Sequence, residues 1–282
     1  MKFGLFGINT GPCAEPETAR RVAQEAEACG FDSVWTGEHV VLPDPQVPPS
    51  PVPAKTLFLD PAVCLTFVAA HTQKILLGTG IIILPQRNPL VLAKELASVD
   101  VLSNGRLLFG LGIGYLKAEF DALGAPFDDK GPRAIEYLEA MLAVWTQDEP
   151  AYEGRFVSFR GIQSLPQPKR KPHPPVIIAG HTPPAFRRAV QHGNGWYGFA
   201  LDVDAAGACI TGLRQASDRY ERPAALGPLE ISVTPRGKLD ADIVRRYADL
   251  GVHRLIVSRP RATGDEIIRD VRDLAQAFIQ GS

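Results

Sequence analysis

The chain has 282 residues, 45% hydrophobic and 22% charged, enough apolar material for one large buried core or two small ones. Its formal net charge of -1 gives no electrostatic case for nucleic acid or an anionic membrane, and no stretch approaches the roughly 20 apolar residues of a membrane span. The four cysteines, at 13, 29, 64 and 209, form no Cys-x-x-Cys pair and have no histidine at zinc-ligand spacing, so no metal site is expected and a reducing, cytoplasmic location is.

In chain order, short β-rich runs alternate with amphipathic helices. Phe3–Ile8 reads as a strand, too short and too soon ended by Asn9-Thr10-Gly11-Pro12 to be a secretory leader. A helix starts at Pro16, with Ala19, Val22, Ala26 and Cys29 on one face and Gly30 as its stop. Asp32–Thr36 is the second strand and Pro61–His71 the second helix; the proline-rich segment Leu42–Phe58 between them is a long excursion, after which the alternation resumes. Ile75–Leu84, nearly all apolar, predicts one strand buried on both faces, followed by a helix over Leu90–Leu102. Arg106–Leu111 is the fourth strand, with helices at Leu116–Leu123 and Pro132–Trp145, and a second excursion at 149–175 holds a hairpin candidate at Tyr152–Phe156. Strands Val176–Ala179, Gly195–Phe199, Leu229–Val233 and Arg254–Val257 complete the set. Helices Ala185–His192, Ala205–Tyr220 and Ala241–Leu250 alternate with them, and a last helix opens at the capping box Thr263-x-x-Glu266. Eight strands, each followed by a helix, predict a single α/β domain over 1–282: a (β/α)8 TIM barrel with insertions after strand 2 and before strand 5.

In such a barrel the chemistry lies in the loops at the C-terminal strand ends. Glu38-His39 follows strand two, and a histidine there suits proton transfer near neutral pH, or pins the loop structurally. Gly110-Leu111-Gly112-Ile113-Gly114 lacks the G-x-G-x-x-G spacing of a dinucleotide fold; it reads as a strand end where backbone approaches a flat ligand. Ala179-Gly180-His181-Thr182 opens a helix and suits a phosphate, although a plain strand-to-helix turn looks the same. Lys169-Arg170-Lys171 reads as a solvated loop, and there is no nucleophile elbow, His-Glu-x-x-His or P-loop.

Several segments taken together resemble the luciferase-like monooxygenase family. They are Leu77-Gly78-Thr79-Gly80, Leu84–Pro89, Ala93–Ala97, Leu102–Arg106, Gly110-x-Gly112-x-Gly114, Glu119-Phe120, Pro172–Gly180 and Asn194-Gly195-Trp196. The match covers roughly residues 1–200 and is nearest the branch assigned coenzyme F420, a deazaflavin. The resemblance implies a cofactor ring across the barrel mouth, its phosphate near Ala179–Thr182, and a non-proline cis peptide that maps to Gly80-Ile81. In deazaflavin sugar-phosphate dehydrogenases of this kind a histidine acts as base, and His39 matches it. Their acid is replaced here by Tyr115, and a tryptophan of their second loop is missing from Val40–Pro43, which argues against that substrate. Bacterial luciferase has an arginine for the flavin phosphate where this chain has Ile113.

The expected activity is therefore hydride transfer between coenzyme F420 (alternatively FMN) and a small organic substrate. His39 and Tyr115 are the catalytic candidates, and Gly80, Ile81, Gly112, Gly114, Ala179, Gly180, His181 and Thr182 form the cofactor bed. Lys169–Lys171, Arg187 and Arg188 are candidates for the anionic deazaflavin tail or a solvated basic surface. An FMN-dependent monooxygenase that activates oxygen at C4a is the first rival and a non-catalytic flavin-binding barrel the second; a homodimer is the expected assembly.

Overall fold

The protein, described over residues 1–258 and 260–280 by a computed structural model, is built around a closed barrel. The first half supplies β1 (Lys2–Phe6), α1 (Pro16–Ala28), β2 (Ser33–Thr36), α2 (Pro61–His71), β3 (Leu76–Thr79), β4 (Ile82–Ile83), α3 (Pro89–Leu102) and β5 (Leu107–Gly112). After α4 (Lys117–Ala122) and α5 (Lys130–Thr146), the second insertion carries a small hairpin of β6 (Tyr152–Glu153) and β7 (Ser158–Phe159), pairing Tyr152 with Phe159. The rest alternates β8 (Val176–Ala179), α6 (Pro183–His192), β9 (Gly195–Leu201), α7 (Val203–Arg219), β10 (Glu230–Pro235), α8 (Ala241–Asp249), β11 (Arg254–Val257) and α9 (Gly264–Phe278).

In the described residues, parallel pairing runs β3-β2-β1-β11-β10-β9-β8-β5, and β3 also pairs with β5, which closes eight staves into the expected barrel. The expected third strand, Ile75–Leu84, is broken. It pairs with β5 as far as Gly78 and with β2 as far as Thr79, passes through a cis Gly80–Ile81 peptide, and resumes as β4 against β5 alone. The break falls where Gly80 N–H turns to the Thr36 carbonyl at 2.9 Å, so the backbone is held by β2 while leaving the ladder.

Helix starts follow their local chemistry. Asp60 and Asn88 accept the first free N–H groups of α2 and α3 and are each followed by proline, and both halves of the Thr263/Glu266 capping box form on α9. Outward strand residues pack with the helices in one large core, while Trp35, Leu108, Ile177, Tyr197 and Ile256 fill the barrel interior. Trp35 takes most of that space because its neighbours on β1 and β3 are Gly4 and Gly78. A Cβ at Gly78 would lie 2.3 Å from the indole. Gly78→Ala is therefore expected to cost about 1–3 kcal/mol of stability, the usual range for overpacking a filled core, read as a lowered midpoint in thermal unfolding. Beneath the indole, buried Arg254 binds Asp32 at 2.6 Å and also pairs with Glu230, sealing the N-terminal end of the barrel.

The proline-rich excursion returns over the mouth. Thr10 bridges Phe58, Gly11 N–H donates to the Leu57 carbonyl, and the buried Asn9 amide joins the Gly37 and Leu59 carbonyls at 2.8 and 2.7 Å.

Candidate functional site

A cavity of about 790 Å³ opens at the C-terminal ends of the strands. His39, Tyr115, Gly80, Ile81, Gly112, Gly114, Ala179, Gly180, His181 and Thr182, from four different strand ends, all line it. Sequence positions up to 143 apart are thus brought to one surface, as the barrel topology requires (182 against 39).

His39 follows β2 and is nearly buried. Its Nδ1 lies 3.2 Å from Oε2 of Glu119, a fully buried carboxylate on α4. The other oxygen, Oε1, accepts the Val40 N–H at 2.7 Å and the Val41 N–H at 3.4 Å. Burial pushes the Glu119 carboxyl up, but the hydrogen bond and charge of His39, the Val40 N–H and the nearby Gln86 amide together hold it below its ordinary value. The Gln86 amide makes no full hydrogen bond itself. An ionised Glu119 accepts only, so neutral His39 carries its proton on Nδ1, leaving Nε2 without a partner among the described residues. Phe58 and Tyr115 meet the imidazole edge-on, at ring separations of 5.6 and 6.3 Å. Burial and the Glu119 charge raise the Tyr115 hydroxyl, keeping it a neutral donor.

Beside His39, Glu38 points the other way. It accepts the Ile83 N–H and pairs with Arg87, which also holds Asp60 at 2.7 Å. Burial raises the Glu38 carboxyl against the pull of Arg87, and the network ties β2, β4 and α2 together under the mouth.

The glycines of β5 serve the neighbouring stave first. A Cβ at Gly110 would lie 1.9 Å from the Thr79 carbonyl, one at Gly112 would lie 2.4 Å from Ile81 Cδ1, and Gly114, at φ +73°, would press on Ile83 and Phe120. The absent side chains admit the 79–83 segment, which carries Ile81 into the cavity wall, and Gly112 and Gly114 line the cavity beside it.

The turn Ala179–Thr182 is held by Trp196, whose indole N–H donates to the Gly180 carbonyl at 2.8 Å. Gly180 sits at φ +125°, and a Cβ there would lie 2.8 Å from that of Ala185. The Gly180 N–H faces β9 at the end of the ladder, where Ala179 pairs with Tyr197, whereas the N–H groups of His181 and Thr182 have no acceptor among the described residues. The helix that follows adds little. Pro183 and Pro184 have no N–H, and the Ala185 N–H is taken by the Thr182 carbonyl. His181 accepts the Phe199 N–H on Nε2 at 3.1 Å, so its proton sits on Nδ1, and burial lowers its basicity. Arg188, two turns along α6, is buried, lines the cavity and has no ion pair or hydrogen bond among the described residues. A buried guanidinium without a partner is costly, and with the free N–H groups of His181 and Thr182 lining the same cavity it makes a site that fits an anion.

Residues 1–275 match the family described as luciferase-like monooxygenase. The chain belongs to that family. It is 30% identical to an uncharacterized protein of Mycobacterium tuberculosis over 98% of both chains. It is also 30% identical to the oxygenase component of a flavin-dependent trigonelline monooxygenase of Acinetobacter baylyi, over 68% of this chain and 52% of that one. Among solved structures, the fold is shared with a monooxygenase of Streptomyces bottropensis (TM-score 0.78, 23% identity, 100% and 99% coverage). It is shared as well with an F420-dependent secondary alcohol dehydrogenase in complex with an F420-acetone adduct (TM-score 0.80, 14% identity, 98% of both chains).

Luciferase-like enzymes are F420- or flavin-dependent oxidoreductases and monooxygenases, and this chain is an enzyme of that kind. A non-proline cis peptide lies at Gly80–Ile81, where the resemblance implies it. The basic tail cluster is corrected. Lys169 and Arg170 lie against Gly105, and the Arg170 N–H donates to Asp100, at the N-terminal end of the barrel opposite the mouth. Arg187 stacks on Tyr220 outside the site, which leaves Arg188 as the cation of that group in the cavity. Glu119 had no sequence signal as a partner of His39, being 80 residues away. Arg188 had one: it falls three residues after Ala185 on the buried face of α6. No helix of the described residues is long and apolar enough to cross a membrane.

Proposed function

We propose that this chain transfers a hydride between coenzyme F420 and a small organic substrate, with His39 handling the accompanying proton. The observation that carries this reading is the His39–Glu119 contact, which presents an oriented, unpartnered imidazole nitrogen at the cavity wall beside Ile81. When bound, the deazaflavin accepts or returns a hydride at C5. His39 Nε2, unprotonated in the tautomer that Glu119 enforces, takes the hydroxyl proton from a substrate undergoing oxidation and returns it in the reverse direction. Tyr115 is the second polar group at that position. The turn Ala179–Thr182, through the His181 and Thr182 N–H groups and His181 Nδ1–H, and Arg188 would hold the cofactor phosphate, with Gly80, Ile81, Gly112 and Gly114 against the ring. A bare flavin-binding barrel has no need of an oriented histidine dyad.

A second reading, an FMN-dependent monooxygenase, draws support from the flavin-dependent relative and uses the same ring and phosphate contacts. Absorbance titration of the purified protein with F420 and FMN separates the two. Tighter binding of F420, with oxygen-independent turnover of an alcohol or carbonyl compound, is expected; FMN binding at least tenfold tighter, with oxygen consumption, overturns it in favour of the monooxygenase. A homodimer is part of the proposal: Val63 of α2 and Val91 of α3, 68% and 56% exposed, stand on neighbouring helices with little polar character.

A further inference from the structure

The cavity does not end at the barrel mouth. From Phe6, which points into the barrel, its lining passes along the loop after β1 to Pro12, Cys13, Val22, Ile267 and Leu274. Those residues belong to a different layer. Leu5, Cys13, Val22 and Leu274 are part of the core between the strands and the surrounding helices, outside the barrel wall. The space therefore bends outward into a side lobe between the short helical turn Gly11–Ala14 and α9. We infer that this lobe receives an uncharged, apolar tail of the substrate, an alkyl chain or comparable hydrocarbon group attached to the carbon that reacts beside His39. The inference rests on the proposed placement of the reaction at His39.

Three observations carry it. The lobe opens next to the proton-handling group, because the Phe58 ring meets His39 edge-on and Phe58 bridges Thr10, from which the lining continues to Cys13. Its walls are apolar: the Cys13 thiol is pushed up to about 12 by burial, so it stays protonated and packs as a small hydrophobe. Among the described residues, the charged groups at its rim, Arg261 and Asp270, satisfy each other through two contacts of 2.6 and 3.1 Å. The unpaired cation among the described residues of the cavity, Arg188, stands on α6 after β8, at the proposed phosphate end, so among the described residues an anionic tail has no counter-charge in the lobe.

The test uses the cofactor-free protein and a probe series, the straight-chain primary alcohols from butanol to octanol, with binding followed by calorimetry. Affinity is expected to rise about fourfold per methylene, the equivalent of ~0.8 kcal/mol per buried CH2, until the lobe is full. Cys13→Phe, which fills the lobe, is expected to flatten that rise. Leu274→Ala, which enlarges it, is expected to extend the rise to longer chains. Thermal unfolding establishes that each variant is folded. Equal affinities along the series in the wild type, or an unchanged rise in both variants, overturns the proposal. Parallel titration with F420 and FMN keeps the two readings apart. Cofactor binding without chain-length dependence sinks the lobe alone, and chain-length dependence without binding of either cofactor supports the lobe and sinks the cofactor assignment.

Discussion

Replacing His39 by alanine is expected to lower kcat by about 10²–10⁴, the range for loss of a positioned acid–base group, while cofactor affinity stays within a few-fold. Glu119→Gln is expected to approach that loss without touching the reacting atoms. A glutamine has one carbonyl oxygen, and the Val40 and Val41 N–H groups both point at the position it would occupy. Its NH2 would then face His39 Nδ1 and force the proton onto Nε2, the wrong tautomer for a base. The tautomer change distinguishes this from simple loosening. In the nitrogen-15 spectrum of the resting enzyme, His39 should change from an Nδ1–H to an Nε2–H imidazole, with kcat falling and KM little moved. Undiminished kcat in both variants would leave His39 as a loop anchor. The stability effect has a definite pH sign. Because the folded environment lowers the Glu119 carboxyl, its contribution is present above the unfolded-state value and disappears as pH falls through the lower folded-state value. The stability gap between wild type and Glu119→Gln should therefore be constant near neutrality and close only in acid.

The second large effect concerns Arg188. Arg188→Met is expected to weaken binding of either cofactor by about ten- to a hundredfold, as loss of hydrogen bonds to a charged group implies. The same substitution should raise the unfolding temperature of the cofactor-free protein, since it removes a buried charge with no partner among the described residues. Opposite signs in the two measurements are the diagnostic. Unaltered affinity would move the phosphate elsewhere, and a lowered unfolding temperature would make Arg188 a packing residue. Burial already lowers the proton affinity of this guanidinium, in keeping with an environment that lacks compensation until an anion arrives.

The barrel was legible because its signals are local. Helix α2 begins and ends as expected, at Pro61 and His71, because proline, the Asp60 cap and the apolar run act within a few residues of one another. The break at Gly80–Ile81 left no trace in periodicity, since an apolar run reads the same whether or not the ladder is interrupted; only the family resemblance pointed to it. The site residues were placed by topology, which sends every βα loop to one end. Their partners were not. Glu119 reaches His39 through tertiary packing alone, and Lys169–Lys171, close in sequence to β8, enters that strand from the end far from the mouth. Sequence proximity to a strand does not say which end of it a residue occupies.

The proline-rich loop is fastened at both of its ends and by different elements. Glu119 holds its start at Val40 and Val41, and Asn9 holds its return at Leu59. Between those points, Pro51, Val52 and Thr56 face the cavity without belonging to either fastening. The span can therefore vary in length and composition while the imidazole keeps its orientation. The contacts that orient the imidazole and the stretch of loop that faces the cavity are thus separate parts of the chain, so the second can be redrafted while the first is inherited unchanged.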